Sequence, residues 1–294
     1  FSSTGNGVDE GHVAIPSPFG ASFVALNKHT GELVWDNADP GEGILHGTWT
    51  NPTYAVVQGR PMVIFPGGDG WVRAFVPETG ELLWKFDANP KDSEWRLGGR
   101  GTRNNILSTV VVHDDKAYIG VGQDPEHGEA PGHFWCFDPS GSGDITESAV
   151  IWHRGGRDFH RTMSTAAIGD GIIYIPDLSG FLYALDANTG KRLWSHTVGG
   201  RIDSPPTISG PRVLFGSADG QIHCLRAADG ALGWSFQAAP ADRRMMAFEQ
   251  LESAWPVHGS VLLRDGVVYA VSGRSTFVDG GLRMLRLDAR TGYK

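Results

Sequence analysis

Residues 184–194 read Ala-Leu-Asp-Ala-Asn-Thr-Gly-Lys-Arg-Leu-Trp, and the stretch returns as Ala-Leu-Asn-Lys-His-Thr-Gly-Glu-Leu-Val-Trp at 25–35 and Ala-Phe-Val-Pro-Glu-Thr-Gly-Glu-Leu-Leu-Trp at 74–84. A weaker copy, Cys-Leu-Arg-Ala-Ala-Asp-Gly-Ala-Leu-Gly-Trp, fills 224–234, a degraded one runs from Cys136 to Trp152, and a last one, Leu285 to Gly292, stops short of its tryptophan. Six copies make this a repeat protein. Gly190 and Gly230 stand 40 residues apart and Gly31 and Gly80 stand 49 apart, a period that suits the blades of a β-propeller.

Working outward from 184, each unit contains four apolar runs. Residues 164–194 show them: Ser-Thr-Ala-Ala-Ile, a Gly-Asp-Gly turn, Ile-Ile-Tyr-Ile-Pro, a turn, Phe-Leu-Tyr-Ala-Leu-Asp, the Asn-Thr-Gly turn, and Lys-Arg-Leu-Trp. Asp-Gly and Thr-Gly pairs supply the positive φ that tight hairpin turns demand. The expected fold is therefore all-β: a propeller of four-stranded antiparallel blades, about six of them here and some incomplete. The repeat units fall at about 1–35, 50–84, 105–152, 163–194, 203–234 and 258–294 of one domain spanning 1–294. A four-stranded sheet cannot bury either face alone, so Trp35, Trp84, Trp152, Trp194 and Trp234 are expected to fill the gaps between blades.

Composition agrees with many short strands: 41 glycines and 17 prolines are spread through 294 residues, 40% of them hydrophobic. A net charge of −8 argues against a general nucleic-acid surface, which needs clustered Lys and Arg. No apolar run approaches the roughly 18–20 residues of a membrane-spanning helix. Cys136 and Cys224 hold equivalent places in different repeats and read as buried free thiols. The chain opens at Phe1 and ends at Lys294 inside repeats, which reads as a segment of a larger ring with further blades or domains.

The signature Ala-x-Asp-x-x-Thr-Gly-x-x-x-Trp resembles that of the pyrroloquinoline-quinone-like propeller repeat family, and the likeness runs along essentially the whole chain. The resemblance implies W-shaped blades around an axis, usually eight in quinoprotein dehydrogenases, with tryptophans docking blade to blade. It also implies a periplasmic or otherwise extracytoplasmic location, although the chain shows no signal peptide. Thr4-Gly5-Asn6-Gly7 looks like the stretch in which such dehydrogenases ligate calcium beside the quinone, which makes Asn6 a calcium candidate. Two features depart from the dehydrogenases. They stack the quinone on adjacent cysteines, which this chain lacks, and the loop 40–49, holding His46 and Trp49, has no aspartate where they place the catalytic one. Relatives that keep the blade signature without a quinone include assembly lipoproteins and sensor domains.

A four-stranded meander sends its long connections to one end of each blade. Segments 36–50, 85–105, 153–163, 195–205 and 235–258, with enlarged hairpins at 5–21 and 122–133, belong to that end, where binding groups are usually mounted. His46, Trp49, Trp95, Arg96, Arg100, Arg103, Asn104 and Asn105 lie there. So do His153, Arg154, Arg157, Asp158, His160 and Arg161, and, one blade later, Arg201 and Asp203. Converging guanidinium groups suit carboxylates or phosphates; the competing reading is a salt-bridge network between blades that takes in Asp158, Asp203 and Glu252. Asp124, Glu126, His127 and Glu129 offer oxygen and imidazole to a metal, but without a recognised ligand spacing. Met245, Phe248, Leu251 and Trp255 recur at three- to four-residue spacing and predict a short amphipathic helix over about 241–255, with Trp255 and His258 beneath it.

Two functions follow. The leading expectation is an extracytoplasmic module that binds a small molecule or a protein at its long-loop face, or serves as a scaffold, without quinone catalysis. The alternative is a dehydrogenase of alcohols or sugars dependent on pyrroloquinoline quinone and calcium, with Asp158 or His160 as the base.

Overall fold

The computed structural model describes residues 2–4, 22–39, 45, 48–96, 101–123, 125–127 and 131–294. The chain divides into two compact units, Phe1–Met163 and Ser164–Lys294. Among the described residues every regular element is a strand except one 3₁₀ turn at Pro125–His127.

Among the described residues the first unit holds three sheets. β1 (Ser2–Thr4), β2 (Ser22–Leu26) and β3 (Leu33–Asn37) form one. β4 (Thr53–Val57), β5 (Arg60–Pro66), β6 (Trp71–Phe75) and β7 (Leu82–Asp87) form an antiparallel meander. The third contains β8 (Val111–His113), β9 (Lys116–Val121), β10 (Pro131–Phe137) and β12 (Val150–His160). Between its last two strands the chain makes a detour. β11 (Gly143–Asp144) leaves its own sheet and joins β7 in parallel, with Gly143 opposite Trp84 and Asp144 opposite Lys85.

The second unit repeats the meander with β13 (Ala167–Gly169), β14 (Ile172–Pro176), β15 (Phe181–Asp186) and β16 (Arg192–Thr197), then with β17 (Thr207–Ser209), β18 (Arg212–Gly216), β19 (Gln221–Arg226) and β20 (Leu232–Gln237). β23 (Leu262–Arg264), β24 (Val267–Ser272) and β25 (Arg283–Asp288) form a three-stranded sheet. The innermost strands β13, β17 and β23 lie side by side.

The turns explain the sheets. Asp170-Gly171 and Asp265-Gly266 have both central residues at positive φ (51° and 72°, 50° and 75°), the type I′ geometry that matches strand twist. In the Thr-Gly turns the first residue's side chain organises the chain: Asp186 Oδ1 accepts the backbone N–H of Asn188 (3.1 Å) and of Thr189 (2.8 Å) and the Thr189 hydroxyl (2.7 Å). Those bonds hold the Asp186 carboxyl below the usual range. Gly190 then closes back on the Asp186 carbonyl at 2.8 Å with φ +67°.

The next unit's turn meets the previous unit's tryptophan. Trp35 Nε1 donates to Pro77 O (2.8 Å), Trp194 Nε1 to Ala227 O (2.9 Å) and Trp234 Nε1 to Ala289 O (3.2 Å). In each case the acceptor lies three residues before the turn glycine. A Cβ on Gly80, Gly230 or Gly292 would stand 2.6 Å from the respective indole, so the ring lies where only glycine leaves room. Trp84 is different. It is wholly buried and edge-on to Phe137 at 5.7 Å, yet its Nε1 has no acceptor, because residues 138–149 make the β11 detour where a Thr-Gly turn would stand.

Two expectations are corrected here. Residues 241–255 form no helix; they make a hairpin of β21 (Arg244–Ala247) and β22 (Gln250–Ser253), turned by Phe248 and Glu249 at φ 51° and 62°. Its two strands alternate faces across a two-residue turn, which mimics helical spacing over so short a run. Residues 153–160, expected as a loop, continue β12, since β10 reaches back to Pro131 and gives them a partner as far as His160.

Candidate functional site

In the second unit the loop after β16 passes Gly199 and Gly200 before Arg201. A Cβ on Gly200 would stand 2.7 Å from the Asp219 nitrogen, so glycine lets this loop press against the β18–β19 turn, where Ala218 N–H donates to Arg201 O at 2.9 Å. That contact aims the Arg201 side chain inward.

From there the charges alternate. Arg201 Nε donates to Asp203 Oδ1 at 2.8 Å while its Nη1 meets Glu252 Oε1. Arg274 Nη2 takes the other Glu252 oxygen and also donates to Ser253 O at 3.2 Å. His258 Nδ1 lies 2.5 Å from Asp203 Oδ2, and Ser204 Oγ donates to the His258 carbonyl. Two guanidinium groups thus face two carboxylates, and the imidazole ends the chain. Glu252 is wholly buried and Arg201 is 3% exposed. Burial lowers the Arg201 pKa, opposed by Asp203, and burial also lowers that of Arg274.

The hairpin β21–β22 supplies Glu252 from its second strand and covers Arg201 with the Phe248 ring, 5.1 Å from Cζ. Trp255, 8% exposed, donates its N–H to Asp279 O at 2.7 Å and has Arg243 over its ring at 5.7 Å. Apolar side chains are exposed on the hairpin (Met246 66%, Leu251 51%), on the loop after β24 (Phe277 94%) and on β25 (Met284 79%).

In the first unit Arg103 grips Asp87 with both amino groups at 3.1 Å and donates to Asp69 O at 3.2 Å. Burial raises the Asp87 pKa and Arg103 opposes it. Asn104, fully buried, exchanges two hydrogen bonds with Asn89 (2.8 and 2.9 Å) and accepts from Arg161 Nε at 2.9 Å. His133 Nδ1 and His153 Nε2 are 3.1 Å apart, so one donates to the other, and His153 stacks on Trp135 with centroids at 3.7 Å. Burial, reinforced by His153, pushes His133 down to about 3; burial pushes His153 down to about 4.

Of the residues singled out in the sequence, Arg201, Asp203 and His258 come together, with Trp255 beside the same hairpin. Arg103 and Asn104 belong to the buried network of the first unit. Arg96 is exposed and paired with Glu94 at 3.0 Å, Trp49 is 57% exposed, and Glu126 is exposed. Arg157 and Asp158 are exposed on β12, Asp158 lying 3.7 Å from Arg154, and His160 is half-buried at its end. Asn6, His46, Arg100, Asp124 and Glu129 lie outside the described residues, as does the His127 side chain. Among the described residues no three His, Cys, Asp or Glu side chains gather as a metal would need. Arg274 was not legible as a partner; it follows Gly273 after a strand, as Arg201 follows Gly200, and that parallel is its only sequence signal.

Comparison with known proteins places the fold. The family model described as outer membrane protein assembly factor BamB matches residues 2–133 and 68–294. A polyvinylalcohol dehydrogenase from a Pseudomonas species is 25% identical over 314 residues, covering 91% of this chain and 45% of that protein. BamB of Escherichia coli K12 is 31% identical over 83 residues, 25% of this chain and 21% of that protein. The chain therefore spans less than half the length of either curated relative. Among solved structures, BamB from Moraxella catarrhalis aligns with a TM-score of 0.59 at 16% identity, over 90% of this chain and 66% of that one. A europium-containing methanol dehydrogenase aligns at 0.60 and 12% identity, over 93% and 64%. At such identities these two speak for the β-propeller fold alone.

Proposed function

The chain belongs to the outer membrane protein assembly factor BamB family of quinone-type propeller repeats, and from that premise we propose that it is an extracytoplasmic binding scaffold for a protein partner, without quinone catalysis. The observation that carries this reading is the chain Arg274–Glu252–Arg201–Asp203–His258, in which each ionic group is answered by another from the protein itself. A site whose charges are already matched is a rigid base rather than a ligand clamp. Outward from it the hairpin presents Met246 and Leu251, side chains suited to protein contact.

The quinoprotein reading draws on the likeness to the polyvinylalcohol dehydrogenase. Its cofactor fits these residues poorly. Arg96, Arg103 and Arg201 each hold a carboxylate of this chain, and binding quinone carboxylates there would require breaking those pairs.

Titration of pyrroloquinoline quinone and calcium into the protein tests both readings through tryptophan fluorescence and Tm, because a ligand of the native state raises apparent stability. Unchanged signals are expected; saturable quenching with a rise in Tm would overturn the scaffold reading. A photo-crosslinker at Met246 should trap a protein of outer-membrane assembly in cells, and should fail to do so from the exposed Leu232 on β20.

A further inference from the structure

A cleft of about 510 Å³ beside β11 mixes Asp87, Asp144 and Glu147 with Lys91 and favours no one charge on a ligand. A second cleft, of about 280 Å³, lies in the other unit, and its charged lining has a single sign: Arg212, Arg226 and Arg290 contribute to its wall and no acidic residue does. It opens where β18 and β20 begin and β19 ends, at the far end of those strands from Arg201.

The repeat itself makes room for it. Val34, Leu83 and Leu193 occupy the bulge before the docking tryptophan in three units, and Gly233 stands there in this one. A Cβ on Gly233 would lie 3.2 Å from the Cys224 carbonyl oxygen and 3.9 Å from its Sγ, so the missing side chain leaves a gap beside Cys224. Trp234 is half-buried, whereas Trp35, Trp84, Trp152 and Trp194 are buried. Its N–H is given to Ala289 O, so it offers the cleft apolar ring surface.

The arginines are not matched as those around Glu252 are. Arg212 and Arg226 stand directly opposite each other on β18 and β19, a like-charge pairing that destabilises a sheet. Arg226 alone has an acid, donating to Asp229 through Nε at 2.8 Å and Nη2 at 2.5 Å. Asp288 is engaged in its own turn, where Oδ1 accepts the N–H groups of Arg290 (3.1 Å) and Thr291 (2.8 Å) and the Thr291 hydroxyl (2.8 Å). Among the described residues no carboxylate forms an ion pair with Arg212 or Arg290. Burial pushes the Cys224 thiol up and Arg212 opposes it, so the Arg212 charge acts at the floor of the cleft.

We propose that this cleft binds a small organic dianion, a carboxylate- or phosphate-bearing molecule with an apolar body, held by Arg212 and Arg290 and resting against Trp234 and Pro211. Guanidinium forks suit both head groups, and two unanswered cations match two negative charges. The site is separate from the protein-binding face assigned above and does not depend on it.

Isothermal titration of phenyl phosphate and of phthalate into intact protein at neutral pH tests the proposal, with inorganic phosphate as the head group alone. At least one of the two organic dianions should bind saturably, more tightly than inorganic phosphate, and should weaken as salt is raised. Arg212→Gln and Arg290→Gln should each weaken it roughly tenfold, and Gly233→Leu should weaken it further by filling the gap. Arg212→Gln should leave Tm unchanged or raise it, because it removes a like-charge pair. Failure of both organic dianions to bind would overturn the proposal. So would equal binding of inorganic phosphate, or binding that all three substitutions leave unaltered. A lower Tm in Arg212→Gln would show that the arginine is matched within the fold, and would overturn it too.

Discussion

Trp194 and Trp84 hold the same place in the repeat and have opposite surroundings. Trp194 lies on the glycine of the following turn and gives its N–H to Ala227 O; Trp84 is more deeply buried, and its N–H has no acceptor. Around Trp194 the second unit keeps its regular turn, and its buried charges answer one another in a chain ending at His258. Beside Trp84 the first unit has given up a regular turn, gained a fifth strand and opened a cleft. Where the repeat is regular the indole has its turn and its acceptor; where it departs from regularity the indole loses its acceptor and a cleft opens at the surface.

The sharpest way to break the comparison is to open that chain of charges. Glu252→Ala leaves Arg201 with one carboxylate and Arg274 with none, and should cost about 3–5 kcal/mol, read from the urea midpoint; a loss below 1 kcal/mol would mean the charges are not closed upon each other.

Next comes the turn itself. Gly230→Ala must adopt φ +72° and place a Cβ 2.6 Å from Trp194, so about 2–4 kcal/mol should be lost. Gly143→Ala, at the same φ of +72° but with nothing within 4 Å, should lose only about 1–2 kcal/mol. Equal losses would show that the indole contact adds nothing to the backbone requirement.

Acid should act on the first unit through its paired histidines. Unfolded imidazole titrates near 6.5 and the folded pair at about 3 and about 4, so between those values the unfolded chain binds more protons. Stability is complete above pH 6.5 and falls as pH drops toward 4, by on the order of 2 kcal/mol at pH 5 from the well-buried His133. Thermal melts from pH 7 to pH 4 should show this slope in the native protein and a shallower one in His133→Phe.

The smallest effect separates the tryptophans directly. Trp84→Phe removes a buried donor that makes no bond, whereas Trp194→Phe removes one that does, so the second should cost about 1–2 kcal/mol more. Equivalent denaturation curves for the two variants would erase the distinction.

Most of the scaffold was legible in the sequence because its determinants are local. The Asp-x-x-Thr-Gly turn, the Asp-Gly hairpins and the period-two runs each specify geometry within a few residues, and six sheets lie where those signals stand. The hairpin at 244–253 escaped because Phe248 and Glu249 are not residues that announce a turn at positive φ. β11 escaped for another reason: Gly143 and Asp144 pair with a strand some sixty positions earlier, and nothing near them signals it. At the site, Arg201, Asp203 and His258 could be named from their loops. The competing reading, a salt-bridge network, already takes in Asp203 and Glu252, whereas the part of Arg274 depends on distances no sequence pattern encodes.

The tryptophan contacts also set a timetable. Trp35 waits for Pro77, Trp194 for Ala227 and Trp234 for Ala289, separations of 42, 33 and 55 residues. At a synthesis rate of about 5–20 residues per second, each blade leaves the ribosome roughly 2–10 s before the turn that completes it. A growing chain of this kind therefore always carries one unfinished edge, and slow translation through 197–230 would prolong the interval in which Trp194 remains open to the wrong neighbour.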